Sequence, residues 1–280
     1  MPADPGTRDG SAVQGGVGVA EAHESARLHV TGEALYVDDI PLPDGTLHAA
    51  IGTSECAHAR IRRMDLAAVR AAPGVVAVLT AADIPGENNH GPVVHDDPIF
   101  ATDVVEYAGQ SLFAVVATTV RAARKAARLG RIDYEELEPI RDAKAALERQ
   151  SFVLPTRTLA RGEPLQRIGA APRRLGGSLA VGGQEHFYLE GQVGVALPGE
   201  DRTMLVYSST QHPSEVQRLV AHCLGLEAKD VVVQCRRMGG GFGGKGGPRG
   251  TDIAALLSRK AGGRPVKYIE DRMEYLLAGG

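Results

Sequence analysis

The sequence predicts an α+β chain built from two folded units. Three observations carry that expectation. Apolar runs of strand length alternate with helical stretches through residues 23–138. Residues 139–180 hold a short Ala/Lys/Glu stretch followed by scattered Pro, Arg and Gly, which reads as a linker because long structureless segments are uncommon inside compact domains. A second series of strands and helices then fills residues 181–280.

Element by element, residues 1–22 lack periodicity and are expected to be a mobile tail. Tyr36–Pro41 reads as a short extended piece entering a turn at Pro43-Asp44-Gly45, and Leu47–Thr53 as a buried strand. Asp65 suits the start of a short helix that Pro73-Gly74 stops, and Val75–Leu79 follows as a strand. Residues 84–98 form a loop. It carries His90, His95, Asp96 and Asp97, read as a solvated loop in preference to a metal site. Leu112–Ala117 is a further strand. Thr119 can cap a basic helix from Val120 to Leu129, whose Arg121, Arg124, Lys125 and Arg128 read as a solvated face, and Ile132–Glu136 resumes extended structure.

In the second unit, Val193–Leu197 and Met204–Ser208 read as strands. Pro213 opens a helix that Gly225 stops, with Val216, Leu219, Val220 and Cys223 spaced to make one apolar face. Asp230–Gln234 is a strand, Ile253–Ala261 a helix, and Pro265–Ile269 a strand. The first unit is expected to fold alone, and the chain to self-associate through an uncovered apolar surface of the second.

Composition narrows the function. A net charge of -3 speaks against a basic nucleic-acid binder, and an aromatic content of 4% without Trp against base-stacking platforms. No run of 18 apolar residues suggests a membrane span, and the first twenty residues lack the basic start and apolar core of a secretory signal. Cys56, Cys223 and Cys235 lack metal-ligand spacing. A cytoplasmic location is the expectation.

Thirty-five glycines in 280 residues exceed average usage, and they cluster. From Gly239 to Lys245 every residue is Gly or Lys except Phe242. Such a loop can turn successive backbone N–H groups onto an anion or an electronegative ligand, and it would display Phe242 rather than pack it. Gly239, Gly244 and Lys245 fit a Walker spacing, but Gly246 stands where a Ser or Thr must reach Mg²⁺. Gly239, Gly241 and Gly244 fit a dinucleotide fingerprint, but Pro248 and Gly250 fall where its helix should begin. A tight turn without a ligand is the third reading.

Arg237–Lys245 (RMGGGFGGK), Gly182–Glu190 (GGQEHFYLE) and Ser208–Gln211 (SSTQ), in that family's order and spacing, resemble the molybdenum-binding large subunit of the xanthine dehydrogenase and aldehyde oxidase family. Val30–Pro41, Ser54–Ile61, Ala72–Gly86 and Val104–Ala117 resemble its a/b hammerhead domain. The resemblance implies a hammerhead domain over 23–138 and the first part of a molybdopterin-binding domain over 181–280. It places Gln184 beside the oxygen ligands of molybdenum, Phe242 and Gly243 as backbone donors near the metal, and Gly241 against the cofactor. None of these is a direct metal ligand. Glu185 and His186 are expected to be structural.

Two departures accompany the resemblance. Purine-oxidising members carry a Glu where this chain has Gly246, and the segment from Gly246 onward is closer to the carbon monoxide dehydrogenase and aldehyde oxidoreductase branches. The family's subunit also continues for several hundred residues past Gly280. The catalytic base is therefore expected in the C-terminal portion, and none is assigned here. The resemblance implies partners carrying FAD and 2Fe-2S clusters together with that C-terminal portion, and a small-molecule substrate, either a purine or heteroaromatic or else an aldehyde or carbon monoxide. A non-catalytic remnant that only binds partner subunits is the other reading.

Overall fold

The computed structural model describes residue 18 and residues 20–278. The expected tail, 1–22, lies almost wholly outside them. In chain order the elements are α1 (Ala26–Thr31), β1 (Leu47–Thr53), β2 (Ala59–Asp65), α2 (Ala67–Arg70), β3 (Val75–Leu79), β4 (Val104–Val105), β5 (Ser111–Ala117), α3 (Val120–Ala127) and β6 (Arg131–Glu136). They continue with α4 (Ala143–Glu148), α5 (Pro164–Ala170), β7 (Val193–Pro198), β8 (Met204–Ser208), α6 (Pro213–Leu224), β9 (Val231–Gln234), α7 (Thr251–Lys260), β10 (Val266–Ile269) and α8 (Arg272–Ala278).

A seven-stranded sheet runs β3-β5-β1-β10-β7-β8-β9, and a three-stranded sheet runs β4-β2-β6. The large sheet crosses the sequence boundary. β1 pairs in parallel with β10, Leu47 facing Val266, and β10 pairs antiparallel with β7. The largest core cluster crosses it too, packing Leu47, Leu79 and Phe100 with Val206, Val220, Leu257 and Tyr268. Residues 23–138 and 181–280 are therefore segments of chain that contribute to one sheet and one shared core. A second cluster, around Val69, Leu112, Phe113 and Val115, belongs to the first segment alone.

Local chemistry accounts for most boundaries. The Thr119 hydroxyl accepts from the Ala122 N–H at 3.1 Å and starts α3. β5 is an almost unbroken buried run, as a strand paired on both edges and covered by helix requires. Thr251 to Ser258 of α7 are all buried, because that helix packs on the sheet and on α6 together.

Several expectations are corrected. The apolar face of α6 is covered within the chain: Val216, Leu219, Val220 and Cys223 are buried, largely against α7. Exposed apolar side chains lie instead along residues 152–189, among them Leu159, Leu175, Leu179 and Leu189. Val37–Asp39 is a 3-10 turn, not an extended piece. β2 was not anticipated, because its alternate positions are arginines that face solvent. Arg124 is not merely solvated; its guanidinium donates to the Ile269 carbonyl at 3.1 Å and pairs with Asp271 at 3.6 Å, tying α3 to the end of β10.

Candidate cofactor loop and adjoining cleft

β9 delivers the chain to the glycine loop, and three neighbouring side chains set its path. Glu190 accepts from the Gly239 N–H through Oε2 at 2.9 Å, and the same oxygen meets Lys245 Nζ at 2.8 Å. Gln211 Oε1 accepts from the Gly243 N–H at 2.8 Å and from the Lys245 N–H at 3.3 Å. Gln192 Nε2 donates to the Gly244 carbonyl at 3.0 Å and to the Tyr188 hydroxyl at 2.9 Å. The Gly244 N–H closes a tight turn onto the Gly241 carbonyl at 2.8 Å.

Glycine is required here on two grounds. Gly243 has φ +102°, a region closed to side chains. A Cβ on Gly241 would sit 2.6 Å from Gln211 Oε1, so any side chain there would expel the carboxamide. Phe242 is held at φ +53° and is 75% exposed. A non-glycine residue in that conformation costs on the order of 1 kcal/mol or more, an observed strain of the kind that concentrates at functional sites. No acceptor among the described residues meets the Phe242 N–H.

Beneath the loop the polar groups are largely buried. Lys245 is fully buried, with its ammonium 4.8 Å from the centre of the Tyr188 ring. Burial pulls its amine below the ordinary lysine value, and the Glu190 carboxylate opposes that pull. Burial and the nearby Glu270 charge push the Tyr188 hydroxyl up to about 12. Tyr188 in turn stacks edge-on against Tyr275 with ring centres 4.8 Å apart.

A cleft of about 660 Å³ adjoins the loop, lined by Gly246, Arg249 and Glu270 from one segment and by His90, Asp97 and Tyr107 from the other. Arg249 Nε meets Glu270 Oε1 at 2.9 Å; burial raises the Glu270 carboxyl, and Arg249 works against that rise. His90 is held between two carboxylates, Nδ1 at 3.2 Å from Asp252 and Nε2 at 3.3 Å from Asp97. Burial acts to lower its imidazole, but the hydrogen bonds to Asp252 and Asp97 outweigh it and raise the group to about 10. The solvated-loop reading of His90 is thereby corrected, whereas His95 is half exposed beside Glu87. Among the described residues, no group of three or more His, Cys, Asp or Glu is placed to hold a metal ion.

The predicted site residues separate into two sets. Gly241, Phe242 and Gly243 lie together on the loop, and Gly246 lies on the cleft wall. Gln184 is not brought to them by any contact of its side chain. It is exposed, in a stretch without regular structure, and its Nε2 reaches only the neighbouring Gly183 carbonyl, at 3.4 Å. Gly243 is on the loop, but its N–H is taken by Gln211. Glu185 accepts from the Tyr275 hydroxyl, which holds its carboxyl below the usual range. Gln211, Glu190 and Gln192 were given no role from sequence, although Gln211 ends SSTQ and Glu190 ends GGQEHFYLE.

The arrangement offers an open glycine surface, a displayed aromatic ring and an unused backbone donor. A Cβ on Gly247 would meet nothing within 4 Å. That combination suits a group rich in oxygen and negative charge.

Both segments of the chain resemble known domains. Residues 31–138 match the aldehyde oxidase and xanthine dehydrogenase a/b hammerhead domain, and residues 148–280 match the molybdopterin cofactor-binding domain. The chain is 39% identical over 274 residues to a xanthine dehydrogenase/oxidase of Gallus gallus, covering 97% of this chain and 20% of that protein. It is 44% identical over 263 residues to xanthine dehydrogenase 2 of Arabidopsis thaliana, covering 91% of this chain and 19% of the relative. The aldehyde oxidoreductase of Desulfovibrio gigas superposes with a TM-score of 0.80 at 27% identity, over 89% of this chain and 29% of that one. The chain thus spans about a fifth of the length of the curated relatives it matches.

Proposed function

The chain belongs to the xanthine dehydrogenase and aldehyde oxidase family of molybdenum hydroxylases, and on that premise we propose that its glycine loop forms one wall of a molybdopterin site in a molybdenum-binding subunit. The observation that carries this reading is the loop crest, where Phe242 stands exposed at positive φ and, like Gly240 and Gly241, meets no acceptor with its N–H among the described residues, while Gly239, Gly243 and Gly244 are tied back. The residues fit the group. Their contribution is backbone donors and glycine surface, with metal ligation left to the cofactor's own sulfur. When bound, that cofactor supplies the oxidation of a substrate C–H carbon with oxygen from water.

The chain's own residues bind and orient. Gly241 gives the loop its close approach to Gln211, Phe242 offers its N–H and its ring, and Gln184 is assigned to the cofactor by the family motif alone. No residue of this chain is assigned as the general base. The substrate class is a purine or related heteroaromatic. A second reading, a subunit of the carbon monoxide dehydrogenase and aldehyde oxidoreductase type, is favoured by one observation: Gly246 presents no side chain to the cleft. A subunit that binds partners without turnover is the third. Partner chains carrying FAD and 2Fe-2S clusters would take the two electrons, in the cytoplasm.

Co-expression with the C-terminal portion and the flavin and iron–sulfur chains tests the proposal. We expect molybdenum in the purified assembly and turnover of hypoxanthine or of an aldehyde, with none by the chain alone. General acid–base assistance alone contributes about 10²–10⁴-fold, so the polypeptide of residues 1–280, in which no base is assigned, should by itself fall below detection. Turnover by the isolated chain, or an assembly free of molybdenum, overturns it.

A further inference from the structure

Gln211 lies between the end of β8 and the start of α6, and its backbone is fixed independently of its side chain. Its N–H donates to the Lys245 carbonyl at 2.8 Å, and the same carbonyl accepts from Thr210 Oγ1 at 3.1 Å. The carboxamide then lies against Gly241 and takes the Gly243 and Lys245 N–H groups on Oε1. Two donors converging on one atom decide which end of the carboxamide faces inward, because only the oxygen can accept. The NH₂ end is left pointing away from those donors. It meets no acceptor among the described residues, and Gln211 is exposed. Gln184, by contrast, has no such anchor among the described residues.

We propose that Gln211 is a ligand-facing residue of the glycine loop, its oxygen pinned by the Gly243 and Lys245 amides so that its Nε2 donates to an oxyanion oxygen lying on the loop. The inference rests on the reading that the loop receives an oxygen-rich cofactor. It reassigns the second donor of the site. The Gly243 N–H does not point at the ligand directly; it fixes Gln211, and Gln211 donates beside the Phe242 N–H. A donor whose torsions are already fixed needs no reorganisation when the acceptor arrives.

Two variants of the full chain separate the pinning from the donation. Gln211→Glu keeps an acceptor for both amides but replaces the NH₂ group by a second oxygen. Gln211→Leu removes both functions. Amide exchange by NMR reads the pinning, and titration with molybdate and, separately, with inorganic phosphate reads the donation through the Gln211 NH₂ and Phe242 N–H resonances. In the wild type both resonances should shift with at least one probe. A shift with molybdate alone assigns a metal-oxo acceptor, one with phosphate alone a phosphate group, and one with both the chemistry they share.

Gln211→Leu should speed exchange of the Gly243 and Lys245 amides about tenfold, the loss of one ordinary hydrogen bond. Gln211→Glu should leave that exchange unchanged and still weaken oxyanion binding at least about tenfold, because a carboxylate repels the probe. Wild-type NH₂ resonances that respond to neither probe, or Gln211→Glu binding as tightly as wild type, overturn the donor assignment. Exchange unaltered in Gln211→Leu overturns the pinning. Molybdenum content of the assembled enzyme tests the underlying cofactor reading separately.

Discussion

Lys245 Nζ lies 2.8 Å from Glu190 Oε2, and this one ion pair fastens the last residue of GGQEHFYLE to the last residue of GGGFGGK. The lysine side chain has no solvent exposure, so its charge depends on the carboxylate and on the face of the Tyr188 ring. Glu190→Leu would leave a buried ammonium unpaired and should destabilise the chain by about 3–5 kcal/mol. The double variant Glu190→Leu/Lys245→Met removes both charges and should recover much of that loss. Urea denaturation midpoints of the two variants check this; equal losses would show that the pair is not energetically coupled.

His90 gives the fold a pH dependence whose sign is fixed by its environment. Its imidazole is raised from 6.5 to about 10 and Asp97 is lowered from 3.8. A raised histidine contributes stability that is fully present below pH 6.5, declines above it and is lost as pH passes about 10. The lowered Asp97 contributes stability present above 3.8 and lost as pH falls through its folded value. The pair is therefore worth most between those limits. His90→Asn should cost about 3 kcal/mol near pH 6 and little above pH 10. Denaturation at both pH values, wild type against variant, reads the difference.

Two glycines should differ sharply in their tolerance of substitution. A Cβ on Gly246 would meet only the Gly243 carbonyl oxygen, at 3.8 Å, so Gly246→Glu should change stability by less than about 0.5 kcal/mol. In the assembled enzyme it should raise the hypoxanthine-to-aldehyde ratio in kcat/KM by roughly the 1–3 kcal/mol of one matched hydrogen bond. Gly250, at φ +75°, faces the ring of Tyr268, which a methyl group would overlap. Gly250→Ala should lose at least about 2 kcal/mol, from backbone strain and overpacking together. Thermal denaturation of both variants tests the pair.

The fragment 23–138 should not remain a folded monomer. It retains its own cluster around Phe113 and Val115, but Leu47, Leu79 and Phe100 lose the residues of the second segment that cover them. β1 also loses its β10 partner and becomes an open edge. Size-exclusion chromatography of the fragment should show self-association, whereas the whole chain, with the α6 face covered, should be less prone to it through that face. A monomeric, cooperatively unfolding fragment would refute this.

Much of the local structure was legible because its signals are local. The i, i+3, i+4, i+7 spacing of Val216, Leu219, Val220 and Cys223 marks α6 directly, and Thr119 and Gly225 mark helix ends by chemistry that reaches only a few residues. The sharing of one core between the two segments was not legible, since nothing near Leu47 encodes its partner Val266. The same holds at the site. Glycine density and an isolated Phe242 announce a donor loop, but the acceptor for the Gly243 N–H comes from Gln211, more than thirty residues upstream. The setting of His90 is not local either, because Asp252, which its Nδ1 meets at 3.2 Å, lies on α7.

The parallel pairing of β1 with β10 also sets a schedule. β1 is complete at Thr53 and β10 begins only at Val266. At about 5–20 residues per second, the first strand leaves the ribosome on the order of 10–40 s before its neighbour exists. β5 can occupy one side of β1 early, since both belong to the first segment. The other side, bearing Leu47 and Ala49, must wait for most of the chain, and a waiting strand edge can recruit another nascent copy. Yield during synthesis should therefore fall with expression rate and temperature and rise with chaperone supply, even in variants whose equilibrium stability is untouched.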